Sequence, residues 1–236
     1  MPLVAGSVAD LARSPELRVP LDWFRRERAW INEQHLKLCR VAAPTFLEQK
    51  RAEWMAERFR ELGWESRLDR SGNVVASLPG RRESPTVAVT AHLDTVLAPR
   101  SSDEIKLSGD GRFLGPGVSD NGAGLAALLA IAAAWNAAPP LPDAQLAPVL
   151  IANVGEEGEG NLSGMRYLCR DANVYVQTVL RDDLVRMVPS ARFVDTIDYH
   201  STVVQAAQTA ARANVGTLVL THQIPTPAPG SPGGPG

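Results

Sequence analysis

The chain has 236 residues, 44% of them hydrophobic and 21% charged, enough to bury a substantial core as one large domain or two small ones. Its 24 basic side chains meet 26 acidic ones for a net charge of −2, which excludes a general polyanion binder and predicts no nucleic-acid partner. Cys39 and Cys169 are the two cysteines; they cannot make a disulfide scaffold and fit a reducing compartment as buried structural thiols. The first residues carry no basic region ahead of an apolar run, and the most apolar stretch, Gly124 to Trp135, is shorter than the roughly 20 residues a bilayer requires. The expectation is a cytoplasmic globular protein with no membrane partner.

In chain order, the opening segment reads as helix, because Leu21, Phe24, Ile31, His35 and Leu38 recur at helical spacing on one face. His35 on that apolar stripe reads as a satisfied core or boundary histidine before a metal ligand. Thr45 and Glu48 form a capping-box pattern for a helix that buries Leu47, Trp54, Met55, Phe59 and Leu62 and ends at Gly63. Two short strands, Glu65–Leu68 and Asn73–Leu78, flank a Ser71-Gly72 turn. Two apolar runs, Thr86–Ala91 and Pro148–Val154, read as buried strands, and Gly122–Asn136 between them is a strong helix former. This alternation predicts an α/β fold with a helix-flanked mixed sheet and ligands at the carboxyl ends of its strands. Beyond Arg170 the composition shifts. A strand over Asp171–Leu180, a helix capped by Ser201 or Thr202 and running to about Asn214, and a strand over Thr217–Thr221 are expected. The last fourteen residues, Gln223–Gly236, hold five prolines and four glycines and predict a disordered tail. The domains expected are therefore residues 1–171, 172–222 and 223–236.

Three clusters carry chemistry, each at a strand end or a helix start. In His92-x-Asp94, alternate residues of an extended chain share a face, so a carboxylate can fix the tautomer of a metal-binding imidazole. A structural pair is the alternative. In Gly115-Pro-Gly-Val-Ser-Asp120-Asn-Gly-Ala-Gly124 the glycines permit backbone shapes closed to other residues. They could hold one carboxylate at a helix start to bridge two cations, or Asp120 could simply be an N-cap. In Gly155-Glu156-Glu157-Gly158, adjacent glutamates after an apolar strand are costly to bury without a cation. A metal would let one ligate while the other accepts a proton from water; the alternative is a solvated acidic turn. Together and in this order, the three point to a metal site.

The same residues resemble the zinc metallopeptidase family that includes peptidase T, glutamate carboxypeptidase, aminoacylase and acetylornithine deacetylase. The likeness rests on His92-Leu-Asp94-Thr-Val, on Gly115 to Gly124 and on Gly155 to Gly164, and extends upstream through Ala43-Pro-Thr-Phe46, the helix over 51–63 and Ser71-Gly-Asn-Val-Val. It covers about the first 170 residues, and His92-Leu-Asp94-Thr-Val with Gly115 to Asp120 favours the peptidase T side over leaner aminopeptidase relatives. The resemblance implies that His92 binds one zinc ion, Asp120 bridges two and Glu157 binds the second, with Co2+ or Mn2+ able to replace Zn2+. It further implies that Asp94 orients His92, and that Glu156 is the general base for attack of water on small peptides or N-acyl amino acids. The family adds another acidic ligand and a late histidine, for which Asp182, Asp183, His200 and His222 are the candidates here. It also adds a lid and dimerisation domain, for which 236 residues leave no room, so the oligomeric state stays open.

The C-terminal piece resembles something else. Phe193-Val-Asp-Thr-Ile-Asp-Tyr-His200-Ser-Thr and Thr217-Leu-Val-Leu-Thr-His222 are similar to the end of a metallo-β-lactamase-fold hydrolase of the ribonuclease Z type, over roughly 173–229. In that family the first of these histidines assists catalysis and the second binds zinc. The H-x-H-x-D-H motif of that fold is missing. The two resemblances read as a mosaic joined near 170–173, the alternative being a compact enzyme in which His200 or His222 completes the metal site. Three functions follow: a zinc-dependent peptide or amide hydrolase, an inactive truncated or fused remnant of one, and, third, a metallo-β-lactamase-fold phosphodiesterase.

Overall fold

A computed structural model describes residues 13–80, 85–138, 146–187 and 200–224. The chain divides into two units, Met1–Asn153 and Val154–Gly236. In the first, Ser14 caps α1 (Pro15–Arg26) by accepting from the Leu17 amide. The helix expected to run on unbroken instead stops at Glu27, and α2 (Arg28–Cys39) starts anew. The predicted stripe therefore splits: Leu38 and His35 are buried, whereas Leu21 is exposed.

The capping box expected at Thr45 and Glu48 does not form. Helix α3 (Gln49–Glu61) begins at Gln49 with no side-chain cap, because the Thr45 hydroxyl is turned to Asp94. Leu47, expected inside, consequently lies before the helix and is 68% exposed, while Met55 and Phe59 are fully buried. Gly63, at φ 80°, ends the helix as expected.

A four-stranded mixed sheet follows the order β1–β2–β6–β3, with β1 (Glu65–Leu68), β2 (Val74–Ser77), β3 (Thr86–His92) and β6 (Ala147–Asn153). The two outer pairings on the β1 side are antiparallel, and β3 runs parallel to β6. A small hairpin, β4 (Lys106–Leu107) and β5 (Phe113–Leu114), precedes α4 (Gly124–Ala137). That helix contacts β3, β6, α1, α2 and α3 and buries Leu125, Leu128 and Leu129. The stretch Val118–Ala137 is apolar and long enough to cross a membrane by length and composition, but Asp120 and Asn121 within it are not helical, and α4 is the core helix of this unit. Strand β3 corrects an expectation: Thr86–Thr90 are exposed. It is an edge strand among the described residues, and an apolar run alone does not distinguish a sheet centre from its edge.

The second unit holds α5 (Ser163–Leu168), β7 (Val174–Leu180), the single turn α6 (Asp182–Val185), α7 (Val203–Arg212) and β8 (Thr217–Ile224). Strands β7 and β8 pair in parallel, and Tyr175, Cys169, Ala210 and Ala213 form a small core. Helix α7 has the reciprocal capping box: the Gln205 amide donates to the Thr202 hydroxyl and the Gln205 side chain accepts from the Thr202 amide. Gln223 and Ile224, expected to belong to the tail, are part of β8. Residues 225–236 lie outside the described residues, as do 188–199, which include 193–199 of the stretch Phe193–Thr202 expected to resemble a second hydrolase.

Candidate metal centre

Parallel pairing brings the carboxyl ends of β3 and β6 level, with His92 opposite Asn153, and the Leu93 amide donates to the Asn153 carbonyl at 2.7 Å. His92 is buried there, and Asp94 just beyond it is fully buried. The His92 Nδ1 lies 3.0 Å from the Asp94 backbone oxygen and 3.4 Å from Asp94 Oδ1. Both are acceptors, and the other ring nitrogen, Nε2, faces a third, Asp120 Oδ1, 2.8 Å away.

Asp120 reaches that position because it is not part of the helix. It has φ −112° and ψ 99°, Asn121 is also non-helical, and α4 starts only at Gly124. The N-cap alternative is thereby removed. The turn is held from behind by His35, whose Nε2 donates to the Val118 carbonyl at 2.7 Å, while its ring packs on Phe113 with centroids 4.1 Å apart. Burial lowers the His35 pKa, opposed by that backbone hydrogen bond. The imidazole is thus the satisfied core histidine the sequence suggested. Gly117, at φ 70°, is required here: a Cβ would stand 2.6 Å from the Thr95 methyl.

The glutamate pair leaves β6 three and four residues beyond Asn153, the partner of His92. Within the second unit Glu157 is buried and Glu156 half-buried, on a loop that closes tightly. The Ser163 amide donates to the Gly155 carbonyl and the Gly160 amide to the Glu157 carbonyl. Gly155, at φ 59°, admits no side chain, since a Cβ would meet Ser163 Oγ at 2.2 Å. Burial first, then Cys169 and the charge of Glu156, raise the pKa of Tyr175.

Of the remaining candidates, Asp183 takes a two-pronged contact from Arg181, at 2.8 and 2.7 Å, which lowers its pKa. Asp182 lies 3.8 Å from Arg186. Both behave as members of a solvated turn. His200 is exposed before α7, and His222 lies on β8.

Two further residues were not singled out individually in the sequence. Thr45 donates to Asp94 Oδ2 at 3.0 Å, a role hidden behind its capping pattern. Arg51 is 1% exposed and donates to the Val41 and Leu93 carbonyls at 2.8 and 2.7 Å. An arginine on an amphipathic helix ordinarily reads as surface.

The donor set suits a metal ion. Nε2 of His92 and Oδ1 of Asp120 converge to 2.8 Å, and imidazole nitrogen with carboxylate oxygen is an ordinary zinc ligand combination. An Asp94 contact on the other ring nitrogen is the arrangement that orients metal-binding histidines.

Comparison with known proteins agrees with this chemistry. The model of Peptidase family M28 matches residues 73–230, about two thirds of the chain. The fold is similar to the dipeptidase Dug1p of Saccharomyces cerevisiae, with a TM-score of 0.53, 14% identity, and coverage of 70% of this chain and 42% of that one. It is also similar to human carnosine dipeptidase 1, with a TM-score of 0.52, 16% identity, and coverage of 65% and 37%. A stretch of 67 residues is 51% identical to ribonuclease Z of Mycolicibacterium gilvum (strain PYR-GCK), covering 28% of this chain and 23% of that protein. The chain thus spans about a quarter of the length of the curated relatives it matches and about two fifths of the two dipeptidases.

Proposed function

Because the chain belongs to Peptidase family M28, we propose that it is a zinc-dependent hydrolase of peptide or amide bonds, acting on small peptides or N-acyl amino acids in the cytoplasm. The observation that carries this reading is the buried His92, held by Asp94 on one ring nitrogen and facing Asp120 Oδ1 at 2.8 Å on the other. His92, Asp120 and Glu157 are the residues that would hold the metal. Bound zinc would lower the pKa of water and polarise the scissile carbonyl. Co2+ or Mn2+ can serve in its place.

Glu156 acts as general base: its carboxylate takes a proton from the attacking water and delivers it to the departing amine. Asp94 keeps the proton of His92 on Nδ1. The paired glutamates are tolerable in a partly buried loop because a cation offsets their charge.

The test is hydrolysis of a dipeptide and an N-acyl amino acid by the full chain, with and without chelator and with Glu156→Gln. Turnover that requires metal and is lost in Glu156→Gln supports the reading. Metal-independent turnover, or turnover unchanged in Glu156→Gln, contradicts it. A second reading, a remnant without full metal coordination, is favoured by one observation: Asp182 and Asp183 are engaged with arginines. Under it the chain binds zinc weakly and cleaves neither substrate. Cleavage of a phosphodiester in place of a peptide would instead favour the ribonuclease Z likeness.

A further inference from the structure

Between α2 and α3 the chain passes through 40–48, a segment that lies against the residues just after His92. We propose that Thr45 and Arg51 are positioning residues that clamp this segment to the His92–Asp94 loop and thereby fix the carboxylate that orients His92. The proposal rests on the metal site described above.

Five contacts make the clamp. The Arg51 guanidinium donates to the Val41 carbonyl through Nε at 2.8 Å and to the Leu93 carbonyl through Nη1 at 2.7 Å. One planar fork thus joins two separate loops, which an ammonium group cannot do with the same geometry. The Thr95 amide donates to the Ala43 carbonyl at 3.0 Å, and Pro44 and Thr95 form an isolated parallel bridge. The Thr45 hydroxyl donates to Asp94 Oδ2 at 3.0 Å. With Oδ2 so held, Oδ1 is the oxygen left facing His92 Nδ1, at 3.4 Å.

The placement of Arg51 argues for more than packing. A guanidinium taken out of water is costly, and here it is spent on the carbonyl of Leu93, the residue between the imidazole and its orienting carboxylate. Thr45 lies at the other end of the same arrangement. Rotation of either would leave Asp94 free to turn and His92 free to change tautomer or tilt. Partners of this kind tune metal affinity by about 10- to 100-fold.

The test measures zinc affinity by chelator competition, together with the visible spectrum of the Co2+ form and thermal melting of the metal-free protein. Thr45→Val keeps the shape and removes the donor. It is expected to weaken zinc binding by about 10- to 100-fold and to alter the Co2+ bands, with metal-free melting close to that of the unaltered chain. Thr45→Ser is expected to restore affinity. Arg51→Lys keeps the charge and loses the fork, and is expected to weaken zinc binding as well. Unaltered zinc affinity in Thr45→Val would overturn the proposal while leaving the metal site intact. If His92→Ala bound zinc as tightly as the unaltered chain, the metal site itself would fall and the clamp with it.

Discussion

His35 and His92 are both buried histidines, and their partners separate their roles. His35 donates to a backbone carbonyl and is held neutral by burial. Its folded pKa lies below the ordinary value of about 6.5, so the unfolded chain binds the proton more readily. The stability this contributes is present above about pH 6.5 and is lost as pH falls from there through the lowered folded value. Denaturation at pH 7.5 and 5.5 is therefore expected to show a steeper acid loss in the unaltered chain than in His35→Gln, which keeps a donor and cannot titrate. At the glutamate pair, Glu156→Gln removes the base while preserving shape, and kcat on a dipeptide is expected to fall by about 100- to 10,000-fold, with zinc binding retained. His92, Asp94 and Asp120 stood out in the sequence because histidine and carboxylates at strand ends have few bland explanations in combination, and the fold brings these three together. Thr45 and Arg51 were not, because their partners lie 49 and 42 residues away in sequence.

At the scale of elements, the two capping-box patterns show why a local motif is not a local fact. Thr202 and Gln205 make the reciprocal bonds, whereas Thr45 and Glu48 have the same spacing and do not. In the second case a buried carboxylate competes for the hydroxyl and wins, and the helix starts later. Thr202→Ala is accordingly expected to cost about 1 kcal/mol in denaturant unfolding. The Gly155 loop is more demanding: its φ of 59° and the 2.2 Å approach of Ser163 Oγ to an added Cβ predict a loss of about 1–3 kcal/mol for Gly155→Ala. Strand and helix identities followed from periodicity because β2, β6 and α4 lie in or against a core. Burial of β3 did not follow, since edge position is a property of the sheet and not of the segment.

For the whole molecule, composition foresaw thiols that pack and do not cross-link, and Cys39 and Cys169 are both free and buried. Burial raises the Cys39 pKa to about 11 and that of Cys169 upward as well, so both remain protonated at neutral pH and are shielded from alkylating reagents. Native protein at pH 7.5 is expected to resist iodoacetamide, with two sites labelled once denatured; fast native labelling would contradict the packing. The chain combines a peptidase family match over 73–230 with a 67-residue stretch 51% identical to ribonuclease Z, so the number of metal ions it holds tests the account most directly. Protein stripped with chelator and titrated with zinc is predicted to take up two ions tightly per chain, with binding of both weakened in Asp120→Asn. No tight zinc, or uptake unchanged in Asp120→Asn, would contradict the assignment of His92, Asp120 and Glu157 as a metal centre.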